Sequence, residues 1–345
     1  MFISRWLSIP QNYVLIVIAV VLILIAGFKP IGVDMDSFTY AEIFSQVGSP
    51  VNYFKDYRYN SFLEPAYYLI PSIVTNYLRL DILWVFLIFA ILGVSLKFIA
   101  ISRLTDFTFL SVLVYFSNFF LLHELTQIRA GVASGILLLS IIEIQKRNLL
   151  RFLLLIGAGI LFHYSFIIFL PFYFLNAKEI NKKMYLALLF VPYILIALNV
   201  NVINLLQIFR LGVFSEKIEL YNDLLSMGVY DKIKTYSVVF LVQLFVCTLF
   251  VIKSDLLIQN NKYALLLLKI YCIAAACLVM LSTIPVLAIR ISELLNIVQI
   301  ILIPFLLYII KPRYTALVLV MVFALIIISI NLLYVPILKP YFGRY

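Results

Sequence analysis

Between Tyr13 and Phe28 the chain reads YVLIVIAVVLILIAGF, sixteen residues with no charge and no alternation. Runs of this kind recur to the end of the chain. In hydrocarbon every backbone amide must be satisfied within the protein, so only helices and closed barrels span a bilayer. A barrel strand alternates polar and apolar side chains, and these runs do not. They predict an all-α polytopic membrane protein. Charged residues make up 12% of the chain, against about 25% in soluble domains. The first run is followed by KPIGVDMD, with no small-residue cleavage site, so it reads as a retained span rather than a removed signal.

Lys and Arg gather in short loops on the cytoplasmic side of a membrane. The clusters here are Arg5, Lys97/Arg103, Lys146/Arg147/Arg151, Lys178/Lys182/Lys183, Lys253/Lys262 and Lys311/Arg313. An even number of crossings between clusters gives about eleven spans, ten to twelve in all. They fall near 13–28, 82–101, 107–122, 127–145, 150–162, 164–177, 184–205, 235–252, 263–284, 291–310 and 314–334. The segment 66–80 is too short and interrupted to cross, and is read as an outer-interface or re-entrant helix. Residues 1–345 then form one integral membrane domain with two long outer loops, 29–65 and 206–234. This arrangement places the net charge of +10 on the inner side. The basic excess is an orientation signal, and it argues against a nucleic-acid surface. Cys247, Cys272 and Cys277 lie in apolar segments and read as packing residues. No Cys/His cluster, Gly-rich phosphate loop or Ser-His-Asp pattern points to a metal or cofactor.

One of the two histidines, His163, sits inside the apolar run GAGILFHYSFIIFLP. A single tilted span over 152–177 with His163 bonded to a neighbour is one reading. The basic clusters at both ends favour another, in which both ends face the cytoplasm. Two arms of about 13 residues reach about 20 Å, short of a core of about 30 Å. Their turn, at Phe162-His163-Tyr164, then lies within the membrane and must line a protein cavity or water. Intramembrane ionisable residues are functional candidates by default.

Other charges fall on the outer side. Arg129 opens TQIRAGVASGILLLS, whose Gly131 and Gly135 form a GxxxG pair suited to close helix packing; alternatively it snorkels to the headgroups. Arg290 follows Pro285, and an Arg290–Glu293 ion pair is its plainer reading. His123 and Glu124 are expected to be solvated in an outer turn. Asp34, Asp36, Arg58 and Glu64 lie in the first outer loop. Arg210 and Tyr221 lie in the second. Tyrosines such as Tyr40, Tyr67 and Tyr221 either stack on sugar rings or form an interfacial belt. Several arginines and a histidine around an outer cavity suggest an anionic, phosphate-bearing substrate.

In order along the chain stand GVDMDSFTY, LEPAYYLI, QIRAGVASGILLL, LFHYSFIIFLP and AIRISELLNIVQIILIP. This ordered set resembles the EpsG/Wzy family of bacterial polysaccharide polymerases over residues 30–310. Gly131 departs from it, standing where a larger residue is expected, and of the two acidic candidates, Asp34 and Asp36, only Asp36 has three residues between it and Tyr40. The resemblance implies a multi-pass protein of the bacterial inner membrane. Such a protein joins oligosaccharide units carried on undecaprenyl diphosphate at the outer face, without nucleotide or cofactor. Membrane lipids and a chain-length regulator are the further partners it implies. In that reading Arg129 and Arg290 neutralise the diphosphate, with Arg58 and Arg210 as weaker candidates. His163 takes the acceptor proton or orients the hydroxyl. Glu64 and Asp36 hold sugar hydroxyls or replace His163 as base, while Asp34, Tyr40, Tyr67 and Tyr221 contact sugar. A flippase for the same lipid-linked units, or a ligase moving finished polymer, shares many of these features.

Overall fold

The computed structural model describes residues 11–55, 63–198, 233, 235–334 and 337–339. Among these the architecture is helical, with one isolated β-bridge between Asp34 and Leu338. The chain forms two compact units, one of residues 1–173 and 303–345, the other of residues 174–302.

In the first unit, α1 (Gln11–Gly27) precedes a short connection and two short helices, α2 (Ser37–Gln46) and α3 (Pro50–Lys55). Helix α4 (Pro65–Pro71) runs on without a break as a π-helix over Ser72–Tyr77, so the segment read as an outer-interface or re-entrant helix is one short helical run. Next come α5 (Leu83–Leu104) and α6 (Thr108–Val114), the latter continued by a π-helix over Tyr115–Thr126. Helix α7 (Ile128–Lys146) is the centre of this unit, packed by α5, α8 (Leu149–Phe162) and the π-helix. Its span is 83% buried, whereas that of the last helix, α16 (Arg313–Ser329 with a π turn to Tyr334), is only 17% buried. The first therefore contacts protein on all sides, and the second presents most of its surface outward.

The second unit contains α9 (Lys182–Ala197), α10 (Val238–Ile252), α11 (Ser254–Asn260), α12 (Ala264–Met280), α13 (Pro285–Asn296) and α14 (Gln299–Leu302). After a 3₁₀ turn, α15 (Leu306–Ile309) leads back into the first. The three cysteines are free thiols. Lys269 is buried and donates to the carbonyls of Asn176 (2.6 Å) and Glu179.

Among the described residues, five helical runs are long and apolar enough to cross a membrane: Leu83–Leu104, Thr108–Thr126, Ile128–Lys146, Pro285–Ile309 and Arg313–Tyr334. The pair Val238–Ile252 and Ser254–Asn260, bent by 70°, makes a sixth, and four shorter apolar helices accompany them. The protein is an all-α polytopic membrane protein.

Two of the shorter helices form a hairpin. Helix α7 ends on Arg147, which takes the left-handed conformation (φ 55°), and Asn148 caps α8 by accepting from the Arg151 N–H. After Phe162 the chain breaks at His163 and continues as a 3₁₀ helix over Tyr164–Phe174. The far ends meet again. Arg147 donates to the Tyr173 carbonyl (2.6 Å), and the Tyr173 hydroxyl donates to the Arg147 carbonyl (2.8 Å). Residues three apart align on a 3₁₀ helix, and Phe166, Phe169 and Phe172 are the buried stripe that results. Phe152 packs on Phe169 and Tyr173, and Gly159 leaves the space that Phe166 fills. The arms hold 14 and 11 residues. At about 1.5 Å and about 2.0 Å per residue their lengths match, about 21 Å and about 22 Å.

Candidate active site

The turn of this hairpin meets the segment that leads into α4. Pro65 opens α4 and holds Glu64 extended (φ −62°, ψ 143°), since the residue before proline is kept out of the helical region. The Glu64 side chain caps nothing in its own helix. Its Oε2 accepts from Arg129 Nη1 at 2.6 Å, and its Oε1 lies 3.4 Å from His163 Nδ1 without hydrogen-bond alignment. The Tyr164 hydroxyl donates to the Leu63 carbonyl (3.0 Å), which fastens the hairpin tip to the same segment. His163 Nε2 makes no hydrogen bond to the described residues.

Arg129, in the first turn of α7, stacks its guanidinium over Tyr67 (4.4 Å) and faces Tyr40 (5.9 Å). It keeps 28% of its side chain exposed, while Glu64 keeps 6%. The pair is thus open on the arginine side, where further N–H donors are available to an anion. Tyr40 stands edge-on to Tyr67, and its hydroxyl reaches Asp36 Oδ2 at 3.5 Å. The Tyr67 hydroxyl is buried with no hydrogen-bond partner.

Electrostatics separates the carboxylates. Burial pushes the Glu64 carboxyl up, but the adjacent His163 ring and the Arg129 guanidinium outweigh it and hold the group at about 2. Burial and the neighbouring Asp34 raise Asp36 above the usual carboxylate range. A carboxylate held this low accepts protons poorly near neutral pH, so Glu64 is suited to orienting cations, and Asp36 is the more basic of the two. Burial likewise raises the phenols of Tyr40 and Tyr67.

Asp34 is sealed within the protein. Its Oδ2 accepts from the buried Lys29 (2.7 Å), and its Oδ1 accepts from the amides of Asp36 and Ser37. It shapes the turn that presents Asp36. Gly32, at φ 95°, and the Ser37 hydroxyl complete that turn.

Three residues expected in solvent or at the inner surface are instead buried in the first unit. Lys97 was grouped with the inner basic cluster, and His123 and Glu124 with an outer turn. The π-helix carries the chain on to Thr126, and all three side chains are enclosed. Lys97 pairs with Glu124 and donates to the Gly131 carbonyl (2.6 Å), while the Tyr115 hydroxyl also donates to Glu124 (3.0 Å). His123 Nδ1 shares a hydrogen bond with the Ser134 hydroxyl (3.1 Å). A Cβ on Gly131 would stand 2.9 Å from Glu124 Oε2 and 3.0 Å from the His123 carbonyl, so a larger residue has no room there. Gly135 plays the expected packing role, with Leu96 of α5 at 2.7 Å from the Cβ it lacks. Lys29 donates to the Leu125 carbonyl, so two buried lysines grip the main chain on either side of the break before Arg129.

The sequence model of the EpsG family matches residues 12–342, nearly the whole chain. The chain belongs to the EpsG family. It is accordingly a membrane protein of polysaccharide-polymerase type. No match is found among curated proteins or solved structures. On this EpsG-family chain, one cluster brings together Asp36, Tyr40, Glu64, Tyr67, Arg129 and His163. Arg290 lies on α13 of the second unit and is exposed. Arg58, Arg210 and Tyr221, with nearly all of loop 206–234, lie outside the described residues. Among the described residues no three His, Cys, Asp or Glu side chains gather as a metal ligand set.

Proposed function

We propose that this EpsG-family protein polymerises oligosaccharide units carried on undecaprenyl diphosphate, at the outer face of the bacterial inner membrane. The observation that carries the reading is the His163–Glu64–Arg129 constellation at a hairpin tip. It joins a cation open to an anion with an imidazole whose Nδ1 lies 3.4 Å from a carboxylate oxygen. Glu64 beside Nδ1 favours the proton on that nitrogen and leaves Nε2 as the basic one, the logic by which a carboxylate orients a histidine base.

In the reaction the acceptor sugar hydroxyl attacks the anomeric carbon of the growing chain. The bond from that carbon to the diphosphate oxygen breaks, and the carrier leaves as its diphosphate. The hydroxyl proton passes to His163 Nε2, with Asp36 the alternative acceptor. Arg129 stabilises the charge that develops on the departing diphosphate. The orphan Tyr67 hydroxyl, buried at a cost of about 1–3 kcal/mol when unpaired, is available to a sugar hydroxyl, and Tyr40 offers a ring face.

The purified protein given a defined lipid-linked repeat unit is expected to yield a ladder of polymer on a gel. Transbilayer movement of the unit without a ladder would reject polymerisation in favour of transport.

A further inference from the structure

At the opposite end of α7 from Arg129, a cavity of about 310 Å³ lies where α5 ends, α7 ends and α8 begins. Arg103, Glu143 and Arg151 line it, together with an apolar wall that includes Ile142, Leu154 and Leu155. The three charged residues come from three different helices, each within a turn or so of its end. Both arginines are exposed. Glu143 is 8% exposed, and its Oε2 is buried with no hydrogen-bond partner. Its Oε1 lies 3.6 Å from the ammonium of Lys146, whose side chain is 56% exposed. An exposed pair at that distance is weak, and it leaves Oε2 unanswered.

A buried carboxylate oxygen calls for an N–H or O–H donor. Two exposed guanidinium groups at the rim call for an anion, and their fork geometry suits phosphate. The wall between them continues into lipid-facing surface, since Leu154 is 64% exposed. A ligand that satisfies all three features carries a phosphate, a primary ammonium a few bonds away, and hydrocarbon. Basic pockets at the ends of membrane helices hold phospholipid headgroups, but a purely basic pocket would lack the carboxylate. A headgroup without nitrogen leaves Glu143 facing a phosphate with no cation between them. A quaternary ammonium has no N–H to give to Oε2.

We propose that this cavity is a binding site for an aminophospholipid of the phosphatidylethanolamine type. The phosphate lies on Arg103 and Arg151, the ammonium on Glu143, and the acyl chains along Leu154 and Leu155. The site is independent of the polymerase chemistry, and so is its test. The full-length protein is extracted from vesicles holding equal parts phosphatidylethanolamine, phosphatidylglycerol and phosphatidylcholine, and the lipid it retains is measured by native mass spectrometry. The wild type is expected to retain phosphatidylethanolamine over each competitor by roughly tenfold, the scale of one charge-assisted hydrogen bond. Glu143→Gln is expected to abolish that preference, and the double change Arg103→Gln/Arg151→Gln to lower retention of all three. Equal retention of the three lipids by the wild type, or a preference for phosphatidylglycerol, overturns the proposal. So does a Glu143→Gln protein that keeps the wild-type preference. The wild-type competition decides the matter even where a variant fails to fold.

Discussion

The chain has two histidines, and the structure treats them oppositely. His123 is enclosed on the π-helix, tied to Ser134 beside the Lys97–Glu124 pair, with no exposed surface. His163 sits at a chain break beside Glu64, with 13% of its side chain exposed. Each has a cation–carboxylate pair next to it, but one pair is sealed and the other is open on its arginine side. A sealed pair can only hold structure together; an open one can also meet a ligand. The difference follows from partners. Lys97 and Glu124 find each other, a main-chain carbonyl and a tyrosine within the bundle, so nothing is left over. Arg129 gives one nitrogen to Glu64 and keeps others.

The comparison breaks first at the histidines. His163→Ala is expected to lower polymer formation by about 10²–10⁴-fold at normal expression, the usual worth of a general base. His123→Ala is expected to lower yield or melting temperature while the rate per folded molecule holds. Equal losses of turnover in both would erase the distinction. The next largest effect is on stability. Lys97→Met strands Glu124 as a buried charge, with an expected loss of about 3–5 kcal/mol. Adding Glu124→Gln recovers most of it, and a thermal melt of the two variants in one detergent checks this. Gly131→Ala comes third. The added methyl crowds Glu124 and the His123 carbonyl, and about 1–3 kcal/mol of destabilisation follows, again read from melting. The smallest effect is a pH dependence. Because Glu64 is depressed in the folded protein from an ordinary 4.5 to about 2, its contribution to stability is complete above about pH 4.5. It is lost as pH falls towards 2. The difference in melting temperature between wild type and Glu64→Gln should therefore be flat from pH 8 to pH 5 and shrink below. A difference that grows on acidification would show the opposite sign of shift.

Much of the open site could be read from the chain. Basic clusters on both sides of a segment too short to cross twice located the turn at His163. The three-residue period of Phe166, Phe169 and Phe172 is also in the sequence, and it marks the 3₁₀ arm. The sealed pair was not legible. Lys97 and Glu124 lie near the ends of apolar runs, where a charge reads as solvated, and the partners of Lys97, Glu124 and the Gly131 carbonyl, stand 27 and 34 residues along the chain from it. Only the π-helical continuation of α6 turns His123 and Glu124 inward. Gly131 looked like a departure from the family pattern for the same reason, because the group that fills its space was assigned to water.

The clasp between Arg147 and Tyr173 has a consequence for how the imidazole responds to its surroundings. A helix that crosses a bilayer must tilt or stretch its environment when the hydrocarbon thickens or thins. A hairpin closed at its base fixes the distance from that base to its tip by its own two arms. The distance of His163 from the clasp is set by arms of equal reach that count residues differently. One added residue in the 3₁₀ arm would lengthen it by about 2.0 Å and turn its aromatic stripe by about 120°, a third of a turn. The aromatic packing between the arms, rather than either arm alone, holds the imidazole at that distance from the clasp.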